Sequence, residues 1–259
     1  MAGGSARGRQ SRPRAALPPD QRPGALTSEG ILRLVTWNCY CGDVSRRLSH
    51  LARLRADVVV LQEVAQPGLP FHDHPVHWRG TNPRKGVAMM SCSAAFTIAP
   101  VEAPPEVAPR TAAVTVHGPT PFLLVAMWAH PVPNYADNAI AVVRAWQARA
   151  PGLPLVVAGD FNVDLGSAMQ TAKHRRLAQF LHEECGLVSA YHAHRKLRYG
   201  HRAEVPTYRH LRKAALPWHI DYCFMPAAWR KRLTRARVVE GEHWLTRSDH
   251  SPVVVDLAD

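Results

Sequence analysis

The chain has 259 residues, 46% hydrophobic and 20% charged, an ordinary globular composition with enough length to bury a sizeable core. No apolar stretch approaches the ~20 residues of a membrane-spanning helix. A formal net charge of +12 favours a polyanionic partner such as nucleic acid or anionic headgroups, and five scattered cysteines without a CxxC pair favour reduced thiols over a disulfide frame or a thiolate metal site.

Residues 1–30 are rich in Gly, Ala, Pro and Arg and lack apolar periodicity, which predicts a disordered basic tail ahead of one domain over 31–259. A strand over 31–37 ends on Asn38. An amphipathic helix follows, with Val44, Leu48, Leu51 and Leu54 on one face. Asp57 leads into a β-branched strand over 58–63 that ends on a carboxylate, Glu63. Further strands are expected over 87–91, 111–116 and 122–129, then a helix over 136–150 with Ile140, Val143 and Trp146 on one side. The run 155–158 is another buried strand, stopping at Gly159-Asp160-Phe161-Asn162. A helix near 175–184 and two strands near 218–225 and 252–257 complete the pattern. Strands and helices are mixed and do not alternate strictly, which argues against a pure βαβ winding.

Several of these buried strands finish on a residue that can bind metal or move a proton. Asn38, Glu63, His130, Asp160 with Asn162, and Asp221 end or follow apolar runs, while Asp249 and His250 precede one. Packed strands bring their ends to a common rim, so these side chains can meet. Asn38, Glu63 and Asp249 offer oxygen ligands suited to Mg²⁺ or Mn²⁺. Asp160 and Asn162, two positions apart on extended chain, face one side and can orient a water toward phosphorus. Asp221 can fix His250 in one tautomer and keep it cationic.

Other catalytic templates are missing from the chain. It has no P-loop, no dinucleotide-binding glycine signature and no GxSxG elbow, and His182-Glu183 meets Gly186 where a zinc-protease helix needs its second histidine. The ordered segments Thr36-Trp37-Asn38, Leu61-Gln62-Glu63, Gly159-Asp160-Phe161-Asn162, His219-Ile220-Asp221-Tyr222 and Ser248-Asp249-His250-Ser251-Pro252 instead resemble the endonuclease/exonuclease/phosphatase superfamily over about residues 31–257. That resemblance implies an α/β four-layer sandwich of two mixed β-sheets flanked by helices. It further implies Glu63 as metal ligand with Asn38 and Asp249 nearby, Asp160 orienting the nucleophilic water, and Asn162 contacting phosphate. His250 paired with Asp221 would stabilise the transition state, and His130 matches the histidine of deoxyribonuclease-like and sphingomyelinase-like members. The chain departs from the pattern at Tyr40, where the abasic-endonuclease branch carries aspartate, and at Lys85, where a carboxylate partner for His130 would stand. Lys85 and Thr207 are candidate phosphate contacts.

Between Tyr191 and Lys213, basic residues interleave with Tyr199, Tyr208 and histidines, a composition suited to a nucleic-acid backbone and its bases. The sequence therefore predicts a cytoplasmic, monomeric, Mg²⁺- or Mn²⁺-dependent phosphodiester hydrolase, a nuclease of DNA or RNA. The alternatives are a phosphatase or phosphodiesterase of a small or lipid-headgroup phosphoester, and an inactive nucleic-acid-binding module.

Overall fold

The computed structural model describes residues 30–67, 75–164, 171–197, 205–213 and 217–258. The expected tail, apart from Gly30, lies outside them, as do Tyr199 and the side chains of Val44 and Leu48.

In chain order the strands are β1 (Ile31–Gly42), β2 (Val58–Val64), β3 (Val76–Asn82), β4 (Lys85–Ser91), β5 (Thr97–Pro100), β6 (Ala112–His117) and β7 (Phe122–Trp128). They continue with β8 (Leu155–Asp160), β9 (Leu187–Ser189), β10 (Tyr208–Arg209), β11 (Pro217–Trp218), β12 (Asp221–Pro226), β13 (Leu233–Val238) and β14 (Val253–Ala258). The helices are α1 (Val44–Leu51), α2 (Tyr135–Gln147), α3 (Ala172–Gln179), α4 (Ala190–His194) and α5 (Glu242–Leu245). Two six-stranded sheets result, one in the order β13-β14-β1-β2-β4-β3 and the other β5-β6-β7-β8-β12-β9. Both are mixed: β1–β2 and β7–β8 run parallel and their other neighbours antiparallel.

The layering follows from side-chain alternation. Successive strand residues point to opposite faces, so a strand apolar at every position must be covered twice. In β2, Val58 and Val60 enter the core between the sheets, while Val59 and Leu61 enter a second core with Leu51, Leu54 and Trp244. In β7, Leu124, Ala126 and Trp128 face the inter-sheet core, whereas Leu123, Val125 and Met127 meet Ile140, Val143 and Trp146 of α2 and Leu177 of α3. Each fully buried Val, Leu or Phe contributes about 1.5–3 kcal/mol. The result is the expected helix–sheet–sheet–helix sandwich.

Four strands without a sequence expectation, β3, β5, β9 and β13, are the sheet edges. β3, β5 and β13 are largely half-exposed and carry polar residues, so no continuous apolar run marks them. The helix expected over 136–150 stops at Gln147; at its start Asn134 Oδ1 accepts from Asp137 N at 3.0 Å. The one near 175–184 is α3 followed by a wider turn over Phe180–Glu184.

Candidate active site

Strand register assembles the site. Parallel pairing sets Trp128 beside Asp160, and antiparallel pairing sets Asp221 opposite Asp160, so β7, β8 and β12 end or begin at one level. In the other sheet Asn38 pairs with Gln62, and β1 and β2 finish together. Asn38 joins the two sheets: its Nδ2 donates to Asp160 Oδ2 at 3.0 Å and to Glu63 Oε1 at 3.3 Å.

Two backbone features aim these groups. Glu63 sits at a β-bulge, with pairing to β4 shifting between Gln62 and Val64, and it is held at φ +54°. For a residue with a Cβ that conformation costs about 1–3 kcal/mol, a strain typical of functional positions. Gly159 has φ +143°, and a Cβ there would overlap the Met127 carbonyl oxygen, so only glycine lets β8 lie against β7 just before Asp160.

Asp160, Asp221 and His250 bring their ligand atoms within 4.8 Å of one another, all buried. Asp160 Oδ1 accepts from Asn162 N at 2.8 Å, and its Oδ2 accepts from Asn162 Nδ2 at 3.2 Å. His250 Nδ1 lies 2.8 Å from Asp221 Oδ2, and its Nε2 lies 4.0 Å from Asp249 Oδ1. Burial, reinforced by the Asp221 charge, pushes the Asp160 carboxyl well above the usual range. Burial alone would lower His250, but the charge and hydrogen bond of Asp221, with Asp160 and Asp249 behind it, hold it above its ordinary value. Asp249 is also raised, by burial first, and Glu63 is among the charges acting on it.

The remaining sequence-chosen residues take varied places. Asn38 Oδ1 accepts from Tyr40 N at 3.0 Å, while its Nδ2 serves the two carboxylates as a donor. His130, just past β7, accepts from Val132 N on Nδ1 at 3.2 Å, which leaves Nε2 to carry the proton of the neutral ring. Lys85 Nζ pairs with Glu63 Oε2 at 2.9 Å. Thr207 is buried, and its Oγ1 accepts from Ile220 N and Asp221 N at 3.0 Å each, fixing the start of β12.

Sequence reasoning missed three supports. Ser248 Oγ donates to Asn38 O at 2.7 Å and accepts from His250 N at 3.0 Å, and Trp37 Nε1 donates to His250 O at 3.0 Å. Tyr208 lays its ring 4.6 Å from that of His250. Ser248 and Trp37 lie inside the quoted motifs, but nothing in their local pattern reveals partners more than 200 residues away.

The site suits a hard divalent cation. Among the described residues, Asp249 Oδ1 and Asp221 Oδ1 are buried without a hydrogen-bond partner. An unpartnered buried carboxylate oxygen is costly unless a cation meets it, and the nearby donors are predominantly oxygens. No helix among the described residues is long and apolar enough to cross a membrane.

Solved structures with this fold include the endonuclease domain of a telomere-specific non-LTR retrotransposon, with 18% identity over 88% of this chain and 98% of that one, TM-score 0.67. A 3'-5' exonuclease from Neisseria meningitidis has 21% identity over 88% and 100%, TM-score 0.61, and an AP endonuclease from Archaeoglobus fulgidus has 16% over 88% and 99%, TM-score 0.66. A search of curated proteins finds no match. Residues 35–250, from within β1 through His250, match the Endonuclease/Exonuclease/phosphatase family. The chain belongs to that family of divalent-metal-dependent phosphoester hydrolases.

Proposed function

We propose that the chain is a Mg²⁺- or Mn²⁺-dependent phosphodiesterase acting on nucleic acid. The observation that carries the nucleic-acid reading is the hairpin above the phosphate centre. β10 and β11 pair Tyr208 with Trp218, whose rings stack at 5.9 Å, and Tyr208 also bridges to His250. Arg209, Arg212 and Lys213 extend from the same hairpin, and Arg212 lies 5.6 Å over the ring of Tyr40, just past Asn38. Trp218 is 44% exposed and Tyr40 51%. Cations with exposed ring faces beside a phosphoesterase centre suit a polyanion that carries bases. The solved neighbours named above are nucleases, the class this reading extends to the chain.

Glu63 and Asp249 would hold the divalent ion, with Asn38 setting Glu63 in place. When bound, the ion supplies Lewis-acid polarisation of a phosphoryl oxygen. Asp160, its carboxyl raised and gripped by Asn38 and Asn162, takes a proton from the attacking water. The water oxygen bonds to phosphorus as the bond to the leaving oxygen breaks, and that oxygen departs with the bonding pair and takes its proton from solvent. His250, held cationic by Asp221, donates from Nε2 to the phosphoryl oxygens as charge builds on them, a contribution typically worth ~10²–10³ in rate. His130 offers its Nε2–H as a further donor, and Asn162 contacts phosphate.

The test is a panel of plasmid DNA, abasic duplex, single-stranded RNA and chromogenic mono- and diesters. Each is run with Mg²⁺, Mn²⁺ or EDTA beside the Glu63→Gln protein. Metal-dependent nicking that the variant loses supports the proposal. Turnover confined to small esters transfers the assignment to a small-molecule phosphoesterase, and binding without any turnover makes the chain an inactive nucleic-acid module.

A further inference from the structure

Lys85 is not a loose surface cation. It opens β4 just before Gly86 and Val87, which lie opposite the bulge that carries Glu63, and its Nζ lies 2.9 Å from Glu63 Oε2. The ammonium also lies 5.0 Å from the Trp128 ring centroid, and the Arg110 guanidinium packs on the same ring at 4.1 Å. Cys41 Sγ approaches the same Glu63 oxygen at 3.7 Å. Two-thirds of the Lys85 side chain and most of that of Glu63 are covered. The other Glu63 oxygen faces Asn38 Nδ2. Hence the carboxylate expected to bind metal already carries a fixed positive charge on one oxygen.

We propose that Lys85 is the second cation of the centre: its ammonium holds Glu63 to a single divalent ion and supplies the phosphoryl group with the charge a second ion would bring. This rests on the phosphoesterase reading above. Two-ion phosphoesterase sites set their ions ~3.5–4 Å apart, commonly sharing a carboxylate. Glu63 has one oxygen to offer, because a second ion on Oε2 would have to displace Lys85. An ammonium has three donor hydrogens and no acceptor, so two hydrogens remain for phosphoryl oxygens once one is on Glu63. The same fixed charge repels a divalent ion bound nearby. At an effective dielectric near 20, as for partly buried pairs, that repulsion weakens ion binding by at least ~10-fold.

The experiment is a Mn²⁺ titration of the whole chain, followed by the electron paramagnetic resonance of free Mn²⁺, on wild type, Lys85→Met and Lys85→Arg. The expected result is one ion per wild-type chain, binding at least ~10-fold tighter or a second ion in Lys85→Met, and wild-type behaviour in Lys85→Arg. On a chromogenic phosphodiester, Lys85→Met should lose ~10²-fold in kcat with KM little changed, and Lys85→Arg should recover part of it. Two ions on the wild-type chain, or equal Mn²⁺ affinity in all three proteins, would overturn the proposal and leave Lys85 a structural ion pair. If Lys85→Met does not fold, Lys85→Gln takes its place and the wild-type stoichiometry still decides. Because the titration needs no nucleic acid, a chain that cleaves none leaves this result readable.

Discussion

Asn38 carries much of the site's organisation in one amide, since its Nδ2 reaches a carboxylate in each sheet while its Oδ1 is held by Tyr40 N. Its replacement by Ala should lower kcat ~10²-fold, measured on the best substrate of the activity panel, because both carboxylates lose a shared donor. Asp160 presents the opposite balance. It is buried beside Asp221, and its folded-state carboxyl lies above the ordinary value, so ionised Asp160 subtracts stability as pH rises through the usual carboxylate range toward neutrality. Asp160→Asn should therefore abolish turnover, by ~10³-fold or more, yet gain about 1 kcal/mol in urea unfolding at pH 7.5 with EDTA present. A fall in stability would show that the Asn38 and Asn162 contacts outweigh the repulsion. For Asp221→Asn, the loss of the charge that keeps His250 cationic should cost ~10²–10⁴ in kcat.

At the level of elements, strand approach and loop burial set the limits. Gly159→Ala forces a Cβ into the Met127 carbonyl at a φ of +143°, so β8 must shift away from β7. We expect a loss of about 2–4 kcal/mol in denaturant unfolding, together with lost activity as Asp160 moves. His219, between β11 and β12, is packed 4.8 Å from Tyr191 and 4.9 Å from Tyr222, and its Nδ1 donates to Val205 O at 2.8 Å. Burial pushes this imidazole down to about 4 from an ordinary 6.5. The unfolded chain thus binds the proton more readily, so the stabilising effect of neutral His219 is complete above about pH 6.5 and lost as pH falls toward 4. The size is on the order of 3 kcal/mol. Urea unfolding from pH 7.5 to pH 4.5 should show this slope, and His219→Gln should flatten it; an unchanged slope would assign it to other groups.

Over the whole molecule, the +12 charge and the basic hairpin over the site predict a steep salt dependence. Single-stranded DNA affinity of the Asp160→Asn protein should fall linearly in log K against log salt, with each phosphate contact adding ~0.7 to the slope, by fluorescence anisotropy. A flat line would remove the polyanion from the reading. The sequence by itself determined the central strands and the candidate chemistry. An unbroken apolar run such as 58–61 or 122–128 can be satisfied only by cover on both faces, and a polar residue at its end falls at the sheet rim whatever the rest of the fold does. Only the tertiary structure decided the edge strands, because a strand paired on one side and half-exposed needs no apolar code. It alone also decided the partners: Lys85 with Glu63, Ser248 with Asn38, and Thr207 with the start of β12. Those contacts depend on the register between strands far apart in the chain, and register is fixed by side-chain packing across sheets that no local window of sequence contains.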